Sequence, residues 1–208
     1  MRSDHGVGVR ARDLAARAVI GILFVLLSAN LLGEFQRTGH VTGLLLLVSE
    51  ALVVLLTIIR RPAQFIDRSP VAACVTALSV VGPELLRADN FAAIAPDVLT
   101  ATMSATGLVL VVAAKLTLGR SFGLIPANRG VVVEGPYKAM RHPIYAGYLI
   151  THAAFLLAYP TLWNVSIVLV ADLALVVRAF LEERVLTRDP RYRRYCSEVN
   201  WHLVPGLF

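Results

Sequence analysis

Six apolar runs, each close to bilayer length, follow one another through 208 residues with only short polar breaks between them. They cover residues 14–32, 41–59, 70–86, 98–118, 143–159 and 162–183. The hydrocarbon core of a membrane is about 30 Å thick, so a helix needs about 20 mainly apolar residues to cross it. A backbone in lipid must satisfy its own polar groups, and runs of this length do so as helices. The expected fold is therefore all-α: a polytopic transmembrane helix bundle of about five to six spans. Residues 1–118 supply the N-terminal helices and 119–208 the functional core, within one structural domain. Apolar residues make up 57% of the chain, above the roughly half usual in soluble domains. Within the third run, Gly82-Pro83-Glu84 predicts a kink or early exit, because proline removes a backbone donor.

The net charge of +6 does not point to nucleic acid, since the Lys and Arg residues sit at the ends of apolar runs and not in one patch. They concentrate before the first run and after the second, fourth and sixth. That bias predicts both termini on the cytoplasmic side, and the compact chain suggests a bacterial cytoplasmic membrane. Membrane lipids are then its surroundings; nothing in the sequence sets an oligomeric state. Cys74 and Cys196 have no Cys-x-x-Cys spacing, so neither a disulfide framework nor a metal site is expected. The basic N-terminus leads into a long apolar run without a small-residue cleavage site, and reads as a first span rather than a removed signal.

Between the fourth and fifth runs the sequence turns polar and punctuated. The segment Arg129 to Gly147 reads RGVVVEGPYKAMRHPIYAG. Gly130, Gly135 and Pro136 interrupt regular structure, and Pro143 suits the first position of a helix, where a missing N–H costs nothing. Polar loop chemistry thus sits at the mouth of an apolar helix, where unpaired N–H groups favour anions. His142 stands at that boundary and outside the expected hydrophobic packing, so His142→Ala should spare the fold. The tail from Arg188 onward is amphipathic and rich in Tyr, Trp and Arg, as an interfacial segment would be.

Ionisable groups inside apolar runs are costly and demand a partner or a role. Glu50 and Asp172 fall mid-run, whereas Lys115 lies one turn from a run's end and is expected to snorkel outward. Asp172 shares a helical face with Val176, Ala179 and Glu183. His152 shares one with Tyr145, and Tyr148 lies nearby, so His152 is either a satisfied core residue or part of a substrate pocket. Arg178 and Glu182 are helical neighbours. An exposed pair of that kind is worth only about 0–1 kcal/mol, so a group of Arg178, Glu182, Glu183 and Arg184 also suggests a site for a zwitterionic or cationic ligand.

The string LGRSFGLIPANRGVVVEGPYKAMRHPIYAGYL, continued by Glu182, Glu183 and Leu186, by Tyr192 and Tyr195, and by Val204-Pro205, resembles the isoprenylcysteine carboxyl methyltransferase family of integral membrane methyltransferases, together with the related phospholipid methyltransferases. The resemblance covers about the last 90 residues. It implies S-adenosylmethionine as cofactor, bound on the cytoplasmic side around the last two helices. It also implies that Tyr137, His142, Pro143, Ile144, Tyr145 and Glu182 line the cofactor pocket, with Gly130, Val131 and Val132 contacting it through backbone. Arg178 corresponds to a substrate-side arginine; Arg178 and Glu183 are the residues expected to be catalytic. The chain departs from the family pattern after Leu186, where Arg188-Asp189-Pro190 replaces the usual Phe-Gly.

The residues suit that chemistry. Backbone N–H groups near Gly130 and Gly135 can hold an anionic end, a glutamate an ammonium or a ribose, and Tyr faces a cation and a purine. Methyl transfer neutralises a sulfonium, so alignment in a dry pocket carries most of it. A carboxylate or thiolate acceptor needs no base; an amine or phenol would need one such as Glu183 or His142. The expected acceptor is lipophilic: a prenyl-type carboxylate, phenolic lipid, amine or thiol. Two rival readings stand beside this one: an NADPH-dependent, sterol-reductase-like enzyme, suggested by Tyr195-Cys196-x-x-Val199, and a non-enzymatic membrane protein.

Overall fold

The computed structural model describes residues 54–87 and 93–207, with positions 25 and 52 besides. The expected first span apart from residue 25, and most of the second with Glu50, lie outside the described residues. The chain divides into two compact units, 1–60 and 61–208. In the first, residues 54–59 are helical and the helix stops at Arg60. Everything below concerns the second.

Its first helix, α1, is Pro70–Val81. Ser69 caps it, accepting the Ala72 N–H at 3.1 Å, and Asp67 in turn accepts the Ser69 N–H at 2.8 Å. The Ser69 N–H, with the Ser69 hydroxyl, holds the Asp67 carboxyl below its ordinary pKa. At Gly82-Pro83 the helix tightens into a 3-10 turn, Gly82–Leu85. Twelve α-helical residues rise about 18 Å, short of a bilayer core. The expected third span, 70–86, is thus a half-length helix plus a turn, for the reason its Gly-Pro announced.

Helix α2 is Asp97–Leu118, α3 is Pro143–Ala158, α4 is Leu162–Leu186 and α5 is Pro190–Glu198. Thr161 caps α4 through Asn164 N–H, and Asp189 caps α5 through Arg191 N–H. Among the described residues, α2 (with its 3-10 extension to Ser121) and α4 are long and apolar enough to cross a membrane; α3 is shorter. Large apolar side chains such as Leu169, Leu173, Val177 and Phe180 are exposed on α4, as expected of a lipid-facing helix. The polar connection between α2 and α3 is not wholly irregular. It contributes strand β2, Ala127–Asn128, which pairs antiparallel with β1, Phe65–Ile66. Among the described residues the bundle is helical with this one small ribbon added.

The helices pack as two pairs, α2 with α3 and α1 with α4. In the first pair the backbones touch. A Cβ at Gly107 would lie 2.7 Å from the Gly147 carbonyl oxygen, and one at Gly147 would lie 2.6 Å from Val111 Cγ2. Small residues allow such approach in membrane bundles, where dispersion and not water drives association. The second pair is close at Gly82, whose Cβ would meet Ala171 Cβ at 3.0 Å. Between the pairs, α3 and α4 meet along a looser seam, and polar side chains bridge it.

Candidate active site

Pro143 begins α3 with His142 as the residue before it. His142 does not cap the helix with its side chain; the imidazole crosses the seam, Nε2 lying 3.0 Å from Glu183 Oε1. His142 is buried, which corrects the expectation that it stands outside the packing. Two backbone bonds lay the tail beside it: Arg141 N–H to Trp201 O and His142 N–H to His202 O, both 2.9 Å. Arg141 completes the clamp. Its Nε donates to Val199 O at 2.7 Å, Nη2 to Cys196 O at 3.0 Å, and Nη1 to Glu183 Oε2 at 3.3 Å. His202 Nε2 also reaches Glu183 Oε2 at 3.3 Å.

The neighbouring carboxylate faces other partners, because successive helical positions point in different directions. Glu182 accepts the Tyr145 hydroxyl and pairs with Arg178 Nε at 3.5 Å. Arg178 is buried. Its guanidinium lies 5.2 Å from the Tyr145 ring centroid, and Nη1 reaches Ser79 Oγ of α1 at 3.3 Å. Its Nε has no hydrogen bond of good geometry among the described residues. The bland alternative of a surface ion pair is therefore excluded. His142 and Tyr145 stack in parallel, centroids 5.4 Å apart at 2°.

Three further contacts set the loop. Tyr195 of α5 donates to Tyr137 O at 2.6 Å, and burial pushes the phenols of Tyr137, Tyr192 and Tyr195 above their ordinary pKa. Asn128 accepts the Gly130 N–H at 2.9 Å and donates to Asp189 at 3.2 Å. Gly130 has φ +111°, where a side chain would be strained. The Arg188-Asp189-Pro190 departure thus has a structural use, since Asp189 both caps α5 and holds β2.

The structure buries Tyr137 in the 3-10 turn Gly135–Lys138 and His142, Pro143, Ile144 and Tyr145 at the start of α3, and joins His142 and Tyr145 to Arg178, Glu182 and Glu183. Gly130, Val131 and Val132 form a neighbouring turn. No hydrogen bond or ion pair among the described residues ties that turn directly to the two glutamates, and the Gly130 N–H expected for an anion is committed to Asn128. Sequence reasoning missed Arg141, although it lies inside the quoted motif, and His202, Asn128 and Asp189. No spacing rule links those three to the loop; only the folded tail does. Lys115 is also corrected: it is fully buried, with Nζ 5.6 Å from the Tyr148 ring centroid, and does not snorkel.

Deeper in the seam, His152 Nδ1 lies 2.5 Å from Asp172 Oδ1, and the Tyr148 ring stacks on His152 at 6.4 Å. On the other side of α3, an apolar groove of about 370 Å³ is lined by Met103 and Leu110 of α2, Ile150 and Ala153 of α3, and Leu203 and Pro205 of the tail, among others.

Residues 95–189 match the family model for phospholipid methyltransferases. The match spans 95 of the 208 residues. The isoprenylcysteine carboxyl methyltransferases fall in the same grouping of membrane enzymes. No curated protein matches the chain. The family region begins just before α2 and ends at Asp189, so it embraces α2, the polar loop, α3 and α4. Arg178, Glu182, Glu183 and the Arg141–Tyr145 segment all fall inside it, whereas the tail residues Tyr195, Val199 and His202 lie beyond. The family is one of membrane methyltransferases, and two helices long enough to span a membrane accord with that setting.

Proposed function

We propose that the protein transfers a methyl group from S-adenosylmethionine to a lipophilic acceptor that partitions into the membrane. The observation that carries this reading is the convergence of the Arg141–Tyr145 segment on two adjacent carboxylates that split into separate networks. The donor set suits the cofactor. Glu182 is an acidic acceptor for an ammonium or a ribose diol, and Tyr145 and Tyr137 offer buried aromatic rings. Arg178 holds a buried guanidinium, ion-paired with Glu182 through Nε at 3.5 Å, and its planar fork suits an anionic group. When bound, the cofactor supplies an electrophilic methyl group on sulfur.

The chain's own residues then do three things. Arg141 and His202 fix Glu183, which orients His142 and locks the tail against the mouth of α3. Glu182 orients Tyr145. Arg178, one turn deeper than Glu182 on α4, faces the acceptor and holds its polar end. The apolar groove bounded by α2, α3 and the tail suits the acceptor's hydrocarbon, since its lining presents almost no polar surface. On this reading the loop and both termini face the cytoplasm.

The test is transfer of labelled methyl from S-adenosylmethionine by the full chain, incubated with a lipid extract of its host membrane. Label entering the organic phase in a time-dependent way, and lost in Arg178→Ala, is the expected result. No transfer with the cofactor, together with binding of NADPH, would instead move the protein to the reductase reading.

A further inference from the structure

The His152–Asp172 pair is used by nothing described so far. It lies in the same α3–α4 seam, about 10 Å along α3 from Tyr145 and about 15 Å along α4 from Glu182, at 1.5 Å per residue. Charged groups at such depth are costly and usually functional. Asp172 also keeps its side chain 24% exposed, so the seam is not sealed at this level.

The other ionisable groups of the seam are occupied. Both oxygens of Glu183 are engaged, by His142 and by Arg141 with His202. Glu182 holds Tyr145 and Arg178 through Oε1, and Oε2 is left for the cofactor in the function proposed above. His142 is pinned by Glu183 on Nε2, with Glu182 at 3.9 Å from Nδ1. His152 differs. Asp172 takes Nδ1, and Nε2 has no hydrogen-bond partner among the described residues. A carboxylate on Nδ1 selects the Nδ1–H tautomer and leaves Nε2 as a basic lone pair. The groups brought to the ring by the described residues are Asp172 from α4, Tyr148 from α3 and, across the Tyr148 ring, Lys115 from α2.

We propose that His152 is the proton acceptor for the methyl acceptor, and that Asp172 is its positioning residue. This rests on the methyltransferase reading and narrows it to acceptors with an N–H or O–H to lose. The acceptor's N–H or O–H bond breaks and its proton passes to His152 Nε2. The freed lone pair forms the new bond to the methyl carbon as the carbon–sulfur bond breaks, its electrons returning to sulfur. The products are a neutral thioether, the methylated acceptor and a protonated His152 held by Asp172, which then yields its proton to solvent. The positive charge of the sulfonium is thus accounted for on the imidazolium.

Three measurements on the full chain in lipid nanodiscs test this. Histidine-selective nitrogen NMR without cofactor should show His152 as the Nδ1–H tautomer, lost in Asp172→Asn; an Nε2–H tautomer in the unmodified protein overturns the proposal. With an alkylphenol, an alkylamine and an alkyl carboxylate as probes, His152→Gln should lower kcat for the phenol or amine about 100-fold or more and abolish the rise of kcat with pH. Its affinity for S-adenosylhomocysteine should stay within twofold, and Asp172→Glu should recover part of the activity that Asp172→Asn loses. Methylation of the carboxylate alone, or an unchanged pH profile in His152→Gln, overturns the base while leaving the methyltransferase reading intact. Failure of the unmodified protein to bind S-adenosylhomocysteine overturns both.

Discussion

Replacing Arg141 by Met should release the tail from the mouth of α3 without unfolding the bundle. The methionine keeps most of the apolar stem and removes the planar fork, which serves Val199 O, Cys196 O and Glu183 together. The arginine and glutamate side chains are 11% and 14% exposed, so screening is weak. Removing one partner of a buried pair costs about 3–5 kcal/mol, because the other charge stays buried and unpaired. Charge-assisted bonds at about 1.5–3 kcal/mol each, two of them to carbonyls, lead to a similar total. The backbone bonds at Trp201 and His202 remain, so the loss is local. Hydrogen exchange is the fitting assay. With tenfold per 1.4 kcal/mol, protection of the amides at 192–203 should fall by roughly 10²-fold or more, while α2 and α4 are unaffected. Arg141→Lys keeps the charge and loses the fork, and should fall between the two. A change under tenfold in Arg141→Met would refute the clamp.

Other positions give independent checks. Gly147→Val places new atoms where Val111 Cγ2 and the Gly107 oxygen already stand at 2.6 and 2.7 Å; overpacking should cost about 1–3 kcal/mol or more, read as a lower thermal midpoint in detergent. His142→Ala should destabilise the protein by about 1–3 kcal/mol through the buried Glu183 it leaves behind, contrary to the reading from position alone. Tyr195→Phe should cost about 1–3 kcal/mol by stranding the Tyr137 carbonyl. Burial raises the Tyr137 and Tyr195 phenols in the folded state, so their contribution is full below the unfolded value of about 10. It is lost as pH rises through the folded values; thermal midpoints should therefore drop on the alkaline side, and less so in Tyr195→Phe.

Much of this architecture is legible in residues, and the failures share a cause. The runs that became α2 and α4 declared themselves by length and composition, and Pro143 marked the start of α3. Gly82-Pro83 foretold the early end of α1. The loop motif and the glutamate pair stood out in the sequence and meet across the α3–α4 seam, and helical periodicity paired Arg178 with Glu182. What could not be read was which partner comes from a distant element. Lys115 looked free to reach water because its run ended nearby, but Tyr148 of α3 covers it. His152 and Asp172 each stood out alone, and only the seam between α3 and α4 shows that they face each other. Adjacent Glu182 and Glu183 had to point apart, yet their partners depend on where the tail returns. His202 and Asn128 carry no signal in spacing, since their roles arise from a tail and a two-residue strand that exist only once folded.

The central claim is that the Arg141–Tyr145 segment and the α4 glutamates form a site for S-adenosylmethionine. Isothermal calorimetry of S-adenosylhomocysteine with the full chain tests it most directly, comparing the unmodified protein with Glu182→Gln and Arg178→Ala. The account expects binding by the unmodified protein, binding weakened in Glu182→Gln by about tenfold or more, as loss of a hydrogen bond to a charged group implies, and binding nearly intact in Arg178→Ala. Loss of binding in Arg178→Ala with retention in Glu182→Gln would reverse the two roles. No binding by the unmodified protein, folded and monodisperse, would contradict the account.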